Sequence, residues 1–404
     1  MTRALLLESP HSNADAVLSG AGLDVVRHPH AMSEDELDEA LDGVEVLGIR
    51  STTTVTERVI ANHPQLLAIG AFSIGTNQID LRAATRHGVA VFNAPFSNTR
   101  SVVELAVAEI IALTRRLTER DKSLHDGVWA KSAAGSHEVR GRTLGIVGYG
   151  NIGSQLSVIA EALGMRVIFF DTSEKLALGN ARGTASLEEL LGEADVVTLH
   201  VDGREGNAGM FGAKQFSAMK PGAVFLNLSR GFLVDYAALR DRVLDGSITG
   251  AAVDVFPDEP RSNGERFDSE LRGLPNVILT PHVGGSTEEA QENIGHFVSS
   301  KLGSYYRLGI TDLSVNLPRL TLGTTSATRH RLAYVHRNTP GVLALVNQTF
   351  AEAGANIEGQ ILGTSGETGY VITDISSEIP VTALSAMQSM EDTIRLRVLS
   401  RPDA

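Results

Sequence analysis

Cysteine is absent from all 404 residues. That excludes disulfides, thiolate catalysis and cysteine-bound zinc or iron–sulfur clusters. Long apolar runs are missing as well: no stretch approaches a membrane span. Near the start only Ala4–Leu7 is apolar, too short for a signal-peptide core. Positive charge is scarce, with 35 Lys and Arg against 48 Asp and Glu and a net charge of −13. Neither nucleic acid nor an anionic membrane would be drawn to such a chain over long range. An anionic substrate can still be held, but only by a local cluster of cations and helix N-termini. The default expectation is a cytoplasmic protein of two or three domains.

What is present is a nucleotide fingerprint in context. Gly148-Tyr149-Gly150-Asn151-Ile152-Gly153 follows an apolar strand, Leu144–Val147, and opens a helix near Asn151. Gly148 permits the tight turn, Gly150 lets a pyrophosphate approach the backbone, and Gly153 brings helix and sheet close. The helix start offers free N–H groups and a positive dipole end to the phosphates. Apolar Ile152, Leu156, Ile159 and Leu163 mark the helix, which stops at Gly164. A second strand, Arg166–Phe170, ends in Asp171, where an acidic residue grips ribose hydroxyls. No arginine follows closely to receive a 2′-phosphate, which favours NAD over NADP.

Ahead of this lies alternating strand and helix grammar. Ala4–Leu7, Val44–Ile49, Leu66–Ala71 and Val89–Phe92 read as strands, and Ser33-Glu34-Asp35-Glu36 as a capping box. The expected domain is α/β with a parallel sheet and no fingerprint of its own. Arg50 and the loop Ser73-Ile74-Gly75-Thr76-Asn77 stand at strand ends, where open sheets place ligands. Position alone leaves Arg50 equally readable as a solvated surface cation. Ser101-Val102-Val103-Glu104 reads as a second capping box, leading a helix through Leu113 that is apolar on nearly every side. An irregular stretch, 125–140, carries the single tryptophan, Trp129, which either reaches a neighbouring subunit or sits in the core.

Beyond the fingerprint, Val196–Val201, Ala223–Leu228, Ile248–Val253 and Val277–Leu279 complete six strands of a doubly wound Rossmann sheet. A long helix, 286–308, could return the chain to the first domain. The expected domains are therefore 1–97 with 285–310 (discontinuous), 98–284, a linker 311–330, and 331–404. The last has strands Arg331–His336, Ile357–Leu362, Tyr370–Ile375 and Ile394–Leu399, with helices Val342–Ala353 and Val381–Met390. This βαββαβ order is ferredoxin-like, and an appended domain of that kind is more often regulatory than catalytic.

Three strand ends of the Rossmann domain carry complementary groups. Arg230 can fork onto a substrate carboxylate and polarise the neighbouring carbonyl. Glu259, between Pro257 and Pro260, is stiffly held. His282, after a strand and before Gly284 and Gly285, can face a cleft. A His–Glu pair can take a hydroxyl proton as hydride leaves and return it in reverse. His200, inside an apolar strand, reads as a satisfied structural histidine.

The stretches 71–78, 92–101, 148–153, 254–260 and 280–291 resemble the D-isomer-specific 2-hydroxyacid dehydrogenase family, in its phosphoglycerate dehydrogenase branch with a C-terminal ACT domain. The resemblance spans essentially the whole chain. It implies a flavodoxin-like substrate-binding domain beside the Rossmann domain, and catalytic roles for Arg230, Glu259 and His282. It implies NAD contacts at Gly148, Gly150, Asn151, Ile152, Gly153, Asp171, Leu228, Ser229, Arg230, Asp254, His282, Val283, Gly284 and Gly285. Substrate contacts are implied at Arg50, Ser73, Ile74, Gly75, Asn98 and Arg230. The implied reaction is NAD-dependent oxidation of D-3-phosphoglycerate to 3-phosphohydroxypyruvate, on the way to L-serine, by a homotetramer. His336-Arg337-Asn338-Thr339-Pro340-Gly341 and Gly354-Ala355-Asn356-Ile357 resemble the ACT fold. There His336, Asn338 and Asn356 are implied to bind L-serine between paired domains as a feedback inhibitor. The 202–208 loop departs from the family pattern and is expected to lie away from the site. Alternatives are a dehydrogenase of another D-2-hydroxy acid, such as 2-hydroxyglutarate, and an NADH-sensing binding protein without turnover.

Overall fold

In the computed structural model, residues 3–260, 264–324 and 328–400 are described. They form two compact units, 1–97 with 291–404 and 98–290. In the first unit, β1 (Arg3–Leu7), β2 (Asp24–His28), β3 (Val44–Ile49), β4 (Ala68–Ala71) and β5 (Ala90–Phe92) make a parallel sheet ordered β2-β1-β3-β4-β5. That is the flavodoxin-like order. Strands buried on both faces read as continuous apolar runs, which is why four of them were visible in the sequence. β2, Asp-Val-Val-Arg-His, was not. It lies at the sheet edge and buries no side chain fully, so its composition stays polar.

The box at Ser33 forms as expected: the Ser33 hydroxyl accepts from Glu36 N–H, and the Glu36 carboxylate accepts from Ser33 N–H at 2.8 Å. The long helix Glu288–Leu308 lays Val298 and Leu302 over Gly70 of β4. A Cβ there would come within 2.7 Å of both side chains, so the helix needs glycine beneath it.

The second unit is a seven-stranded parallel sheet. Its strands are β6 (Thr143–Val147), β7 (Arg166–Phe170), β8 (Arg182–Gly183), β9 (Val196–Leu199), β10 (Ala223–Asn227), β11 (Ile248–Val253) and β12 (Val277–Leu279). The order β12-β11-β10-β9-β6-β7-β8 is the doubly wound Rossmann order with one strand added. The added strand is β12 at one edge, and the strand that the sequence reading lacked, two-residue β8, is too short to leave a pattern. The box read at Ser101 does not form. The helix starts at Thr99, so Ser101 already lies inside it, its hydroxyl 2.9 Å from that of Thr287, while Glu104 pairs with Arg100. This helix buries eight residues but leaves Arg100, Glu104 and Ile111 open, so it is less uniformly buried than its composition suggests. Trp129 is 80% exposed and not core.

The C-terminal sheet, in the first unit, holds β13 (His330–Arg337), β14 (Ile357–Ser365), β15 (Thr368–Ile375) and β16 (Thr393–Ser400), antiparallel and ordered β14-β15-β13-β16. With helices Val342–Glu352 and Val381–Gln388 this is the expected ferredoxin-like domain. Its faces alternate along β13. Leu332 and Tyr334 pack under the two helices, whereas Ala333 and Val335 join the cluster around Leu302 and Tyr305. The stretch expected to be a linker is packed: Thr311, Ser314, Leu317 and Leu320 are buried. Residues 325–327 of that stretch and the terminal 401–404 lie outside the described residues.

Arg331 and Asp374 form a buried two-pronged pair at 2.6 and 2.7 Å. The remaining arginine donors reach Leu308 O at 3.1 Å and Gly323 O at 3.3 Å. One guanidinium thus ties the long helix, the strap after it and the C-terminal sheet. Asp374→Asn leaves that cation buried without its counter-charge, and we expect a loss of about 3 kcal/mol, read as a lower urea midpoint. Replacing both residues together, Arg331→Met with Asp374→Leu, should recover most of it.

Candidate active site

The turn after β6 has the geometry a dinucleotide needs. Gly148 has φ +94°, and a Cβ on it would meet His200 O at 2.5 Å. A Cβ on Gly153 would lie 2.3 Å from Gly148 O, so the helix Asn151–Ala162 rests directly on the turn. A Cβ on Gly150, by contrast, would meet nothing within 4 Å. Helix and turn do not require that glycine; a ligand approaching the backbone would. Asp171 closes β7 and accepts from Tyr149 N–H at 2.9 Å and from Ser173 at 2.9 and 3.0 Å. Partial burial works to raise its carboxyl, but these donors outweigh it and hold the group below the usual range. The residues therefore fit the dinucleotide expected, with a charged acid at the ribose position. His200 is only half satisfied: Nε2 lies 3.0 Å from the Thr198 hydroxyl, Nδ1 has no partner among the described residues, and burial pushes it down to about 4.

The three chemical candidates lie on loops leaving β10, β11 and β12. His282 Nδ1 donates to Glu259 Oε2 at 2.8 Å, and Glu259 Oε1 accepts Phe256 N–H at 2.9 Å. That bond to Glu259 holds the imidazole above its ordinary value, against the opposing effect of burial. Burial would raise Glu259, yet hydrogen bonds from His282 and Phe256 keep it below the carboxylate range. The pair is therefore built to carry a proton on the histidine. Arg230 has burial working against its cation, and the charge of Glu259 supports it. Its Nη1 donates to Ser229 O at 2.7 Å, and no described carboxylate lies within ion-pair distance. Its charge is left for something else.

A network that the sequence reading missed fixes these loops. Asn227 Nδ2 donates to Arg230 O and to the Tyr236 hydroxyl, each at 3.0 Å, and Tyr236 donates to Val255 O at 2.6 Å. Gly231 presses on the other loop so closely that a Cβ would fall 2.0 Å from the Phe256 carbonyl carbon. A glycine directly after the arginine was the one sequence signal for this contact. The 202–208 loop, expected to lie elsewhere, also touches the site. Gly203 lies under Arg230, and a Cβ there would stand 3.3 Å from its Nε. The loop differs in sequence, but its glycine still makes room for the guanidinium.

Other cofactor candidates are already partly engaged. The Ser229 hydroxyl donates to Leu199 O at 2.6 Å, and Leu228 is buried. Asp254 accepts from the Thr280 hydroxyl at 2.6 Å, Val283 N–H at 2.9 Å and Gly284 N–H at 2.8 Å. It shapes the turn around His282. Val283 and Ile152 keep exposed surface. Asn98 packs on Gly285, with its Oδ1 buried and without a partner among the described residues.

Arg50, Ser73, Ile74 and Gly75 lie in the other unit, beyond β3 and β4. Arg50 Nη2 donates to Gln291 Oε1 at 2.9 Å, and Ser73 and Asn93 secure the 73–75 turn through Gly75 O and Ile74 O. The amides of Ser51, Thr52 and Thr53, which follow Arg50, are taken by the Glu8 carboxylate at 2.8–3.1 Å.

In the C-terminal domain, His336 and Asn338 stand at one end of the sheet and Asn356 at the other. The register sets Ile357 opposite Ile375 and Ile375 opposite His330, six residues short of His336. That separates the two groups by about 20 Å at the rise of a strand. His336 is buried with Nε2 unpartnered among the described residues, and the two asparagines donate to Gly366 O and Glu358 Oε1.

Comparison with known proteins identifies the family. Residues 107–284 match the model of the D-isomer specific 2-hydroxyacid dehydrogenase NAD binding domain, and residues 332–395 an AHAS small subunit-like ACT domain. D-3-phosphoglycerate dehydrogenase of Haemophilus influenzae is 48% identical over 98% of this chain and 96% of its own. D-3-phosphoglycerate dehydrogenase 2 of Saccharomyces cerevisiae is 47% identical over 92% and 81%. The structure of D-lactate dehydrogenase from Aquifex aeolicus, complexed with NAD and lactic acid, aligns at a TM-score of 0.66 and 26% identity, over 75% of this chain and 95% of that one. Since nearly half of the residues are identical along almost the full length, the chain belongs to the D-3-phosphoglycerate dehydrogenase family of NAD-binding D-isomer-specific 2-hydroxyacid dehydrogenases.

Proposed function

We propose that the protein oxidises D-3-phosphoglycerate to 3-phosphohydroxypyruvate with NAD, in the cytoplasm, as the opening step toward L-serine. The observation that carries this is the His282–Glu259 bond of 2.8 Å beside Arg230, which has no carboxylate within ion-pair distance among the described residues. NAD, when bound along the Gly148–Gly153 turn and Asp171, supplies the hydride acceptor. Arg230 forks onto the substrate carboxylate and polarises the carbonyl that forms. His282 Nε2 takes the C2 hydroxyl proton, and Glu259 stabilises the imidazolium. Arg50, with Ser73, Ile74, Gly75 and Asn98, holds the phosphorylated end.

Serine control rests on the sheet geometry. One chain cannot surround a single small amino acid with all three residues when they are about 20 Å apart. The outer strand β14 has a free edge among the described residues. Antiparallel pairing of that edge with a second copy sets Asn356 beside the partner's other end, where His336 and Asn338 stand. We assign the serine site to that junction, and the homotetramer to ACT pairing combined with a second interface.

Adding 3-phosphohydroxypyruvate to protein and NADH should give rapid NADH oxidation. His282→Ala should lower turnover by roughly two to four orders of magnitude while NADH binding persists. Near-normal turnover in that variant refutes the proton-transfer role; no turnover in the native protein moves the assignment to another keto acid or to a sensor.

The direction of the His282 shift gives a pH test. Oxidation needs neutral imidazole, so its rate rises as pH passes the histidine value; reduction needs imidazolium and falls there. Glu259→Gln removes the group that lifts His282, so both limbs should move to lower pH as the maximal rate drops. Limbs that stay in place contradict the pairing.

For serine, Asn338→Ala and Asn356→Ala chains should each resist inhibition. Mixed and reassembled, they rebuild one intact junction per hetero-pair and regain partial inhibition. A resistant mixture, with subunit exchange demonstrated, excludes a shared site.

A further inference from the structure

Away from the catalytic loops, a cavity of about 900 Å³ lies within the first unit, between β16 of the C-terminal sheet and the 86–88 turn. Four arginines line it, Arg86, Arg337, Arg395 and Arg397, against one carboxylate, Glu367. Arg86 is neutralised by Glu57 at 2.5 Å. Arg337, Arg395 and Arg397 have no carboxylate within ion-pair distance among the described residues.

The two strand arginines are held, but not neutralised. Arg395 donates through Nε and Nη2 to His87 O at 3.3 and 2.9 Å. Arg397 donates to Tyr305 O at 3.2 Å and Tyr306 O at 2.6 Å, with its guanidinium 5.0 Å from the Tyr305 ring. Carbonyl oxygens and an aromatic face orient a guanidinium without cancelling its charge. Being two residues apart on one strand, the pair share a sheet face, opposite Val335 and Ala333 of β13. Burial first, and also the neighbouring Arg397 charge, act to lower Arg395, against the opposing effects of Tyr305 and the Glu45 charge. Two like charges fixed side by side in a partly dry cavity are costly unless a ligand compensates them.

We propose that this cavity is a second anion site, distinct from the catalytic one, that binds a phosphate group between Arg395, Arg397 and Arg337. Forked donors facing a common space suit the several oxygens of a phosphate. Asn338 and Thr339 add neutral donors at the rim. The volume far exceeds one phosphate ion, so a phosphate ester fits as well. Because Arg337 and Asn338 leave β13 together, occupancy would fix the turn that follows His336. The inference needs neither turnover nor serine binding, and can fail without affecting either.

The test is equilibrium dialysis of radiolabelled inorganic phosphate against the full chain, with ionic strength held constant by sodium chloride. Arg395→Gln with Arg397→Gln should lose one phosphate per chain, or bind it at least tenfold more weakly, and keep kcat and KM. Arg50→Gln should retain that phosphate. Unchanged binding in the double variant overturns the proposal, as does displacement by chloride at equal concentration. If the double variant fails to fold, Arg337→Gln removes an exposed side chain and should weaken binding at least threefold; no change there overturns it too. Glycerol 2-phosphate then separates the sources: tighter binding than phosphate assigns the site to a phosphorylated metabolite, equal binding to the free ion.

Discussion

The catalytic arrangement depends on one buried carboxylate, Asp254, and the three donors it gathers. By accepting from Thr280, Val283 and Gly284 it folds residues 280–285 back on themselves. His282 sits inside that turn at φ +53°, a conformation uncommon for a side-chain-bearing residue and retained only when the surroundings enforce it. Asp254 therefore acts on His282 through the backbone. Beneath the turn, Glu109 is buried without a partner among the described residues, and burial with the nearby Asp254 charge pushes it up to about 8. A neutral Glu109 leaves Asp254 as the single negative charge there, free to hold its three donors.

The same division between shaping and reacting groups recurs across the site. Asn227, Tyr236 and Gly231 touch backbone atoms of the loops that carry Arg230 and Glu259. Tyr236 is buried, and burial raises its phenol, so it stays a neutral donor to Val255 O. These contacts join β10 to β11 at their carboxyl ends, which fixes two loops as one body. Arg230 and Glu259 then keep their spacing without touching each other.

How much of this was legible depended on the range of the interaction. The fingerprint, the helix Asn151–Ala162 and strands such as β7 and β11 follow from local rules, and their bounds were readable. The Ser33 box is equally local. At Ser101 the same pattern misled, because the helix begins earlier and the serine and glutamate find other partners. β2 and β8 are edge strands with little to bury, so no periodicity marks them. The Tyr236–Val255 bond spans 19 residues and the Glu8 contacts span 43 to 45, distances at which a single sequence carries no pairing signal. The 202–208 loop was misplaced for the same reason: its contact with Arg230 is invisible until the strands are ordered.

An acidic chain that takes an anionic substrate must keep some cations uncancelled. Many arginines here are paired, among them Arg27 with Asp15, Arg58 with Glu34 and Arg331 with Asp374. Arg50, Arg230, Arg395 and Arg397 instead hydrogen-bond to amide or carbonyl oxygens, which fix their direction and leave their charge. A carbonyl partner alone does not mark a site, since Arg120 has two and is a surface residue. What distinguishes the four is where they are held: at the carboxyl ends of parallel strands, or facing a common cavity. Glu8 sharpens the effect at Arg50. By occupying the amides of Ser51, Thr52 and Thr53, it removes a competing backbone anion site and leaves the guanidinium as the open donor at that strand end. Net charge sets what the protein repels at long range, and the choice of oxygen beside each arginine sets what it can hold at short range.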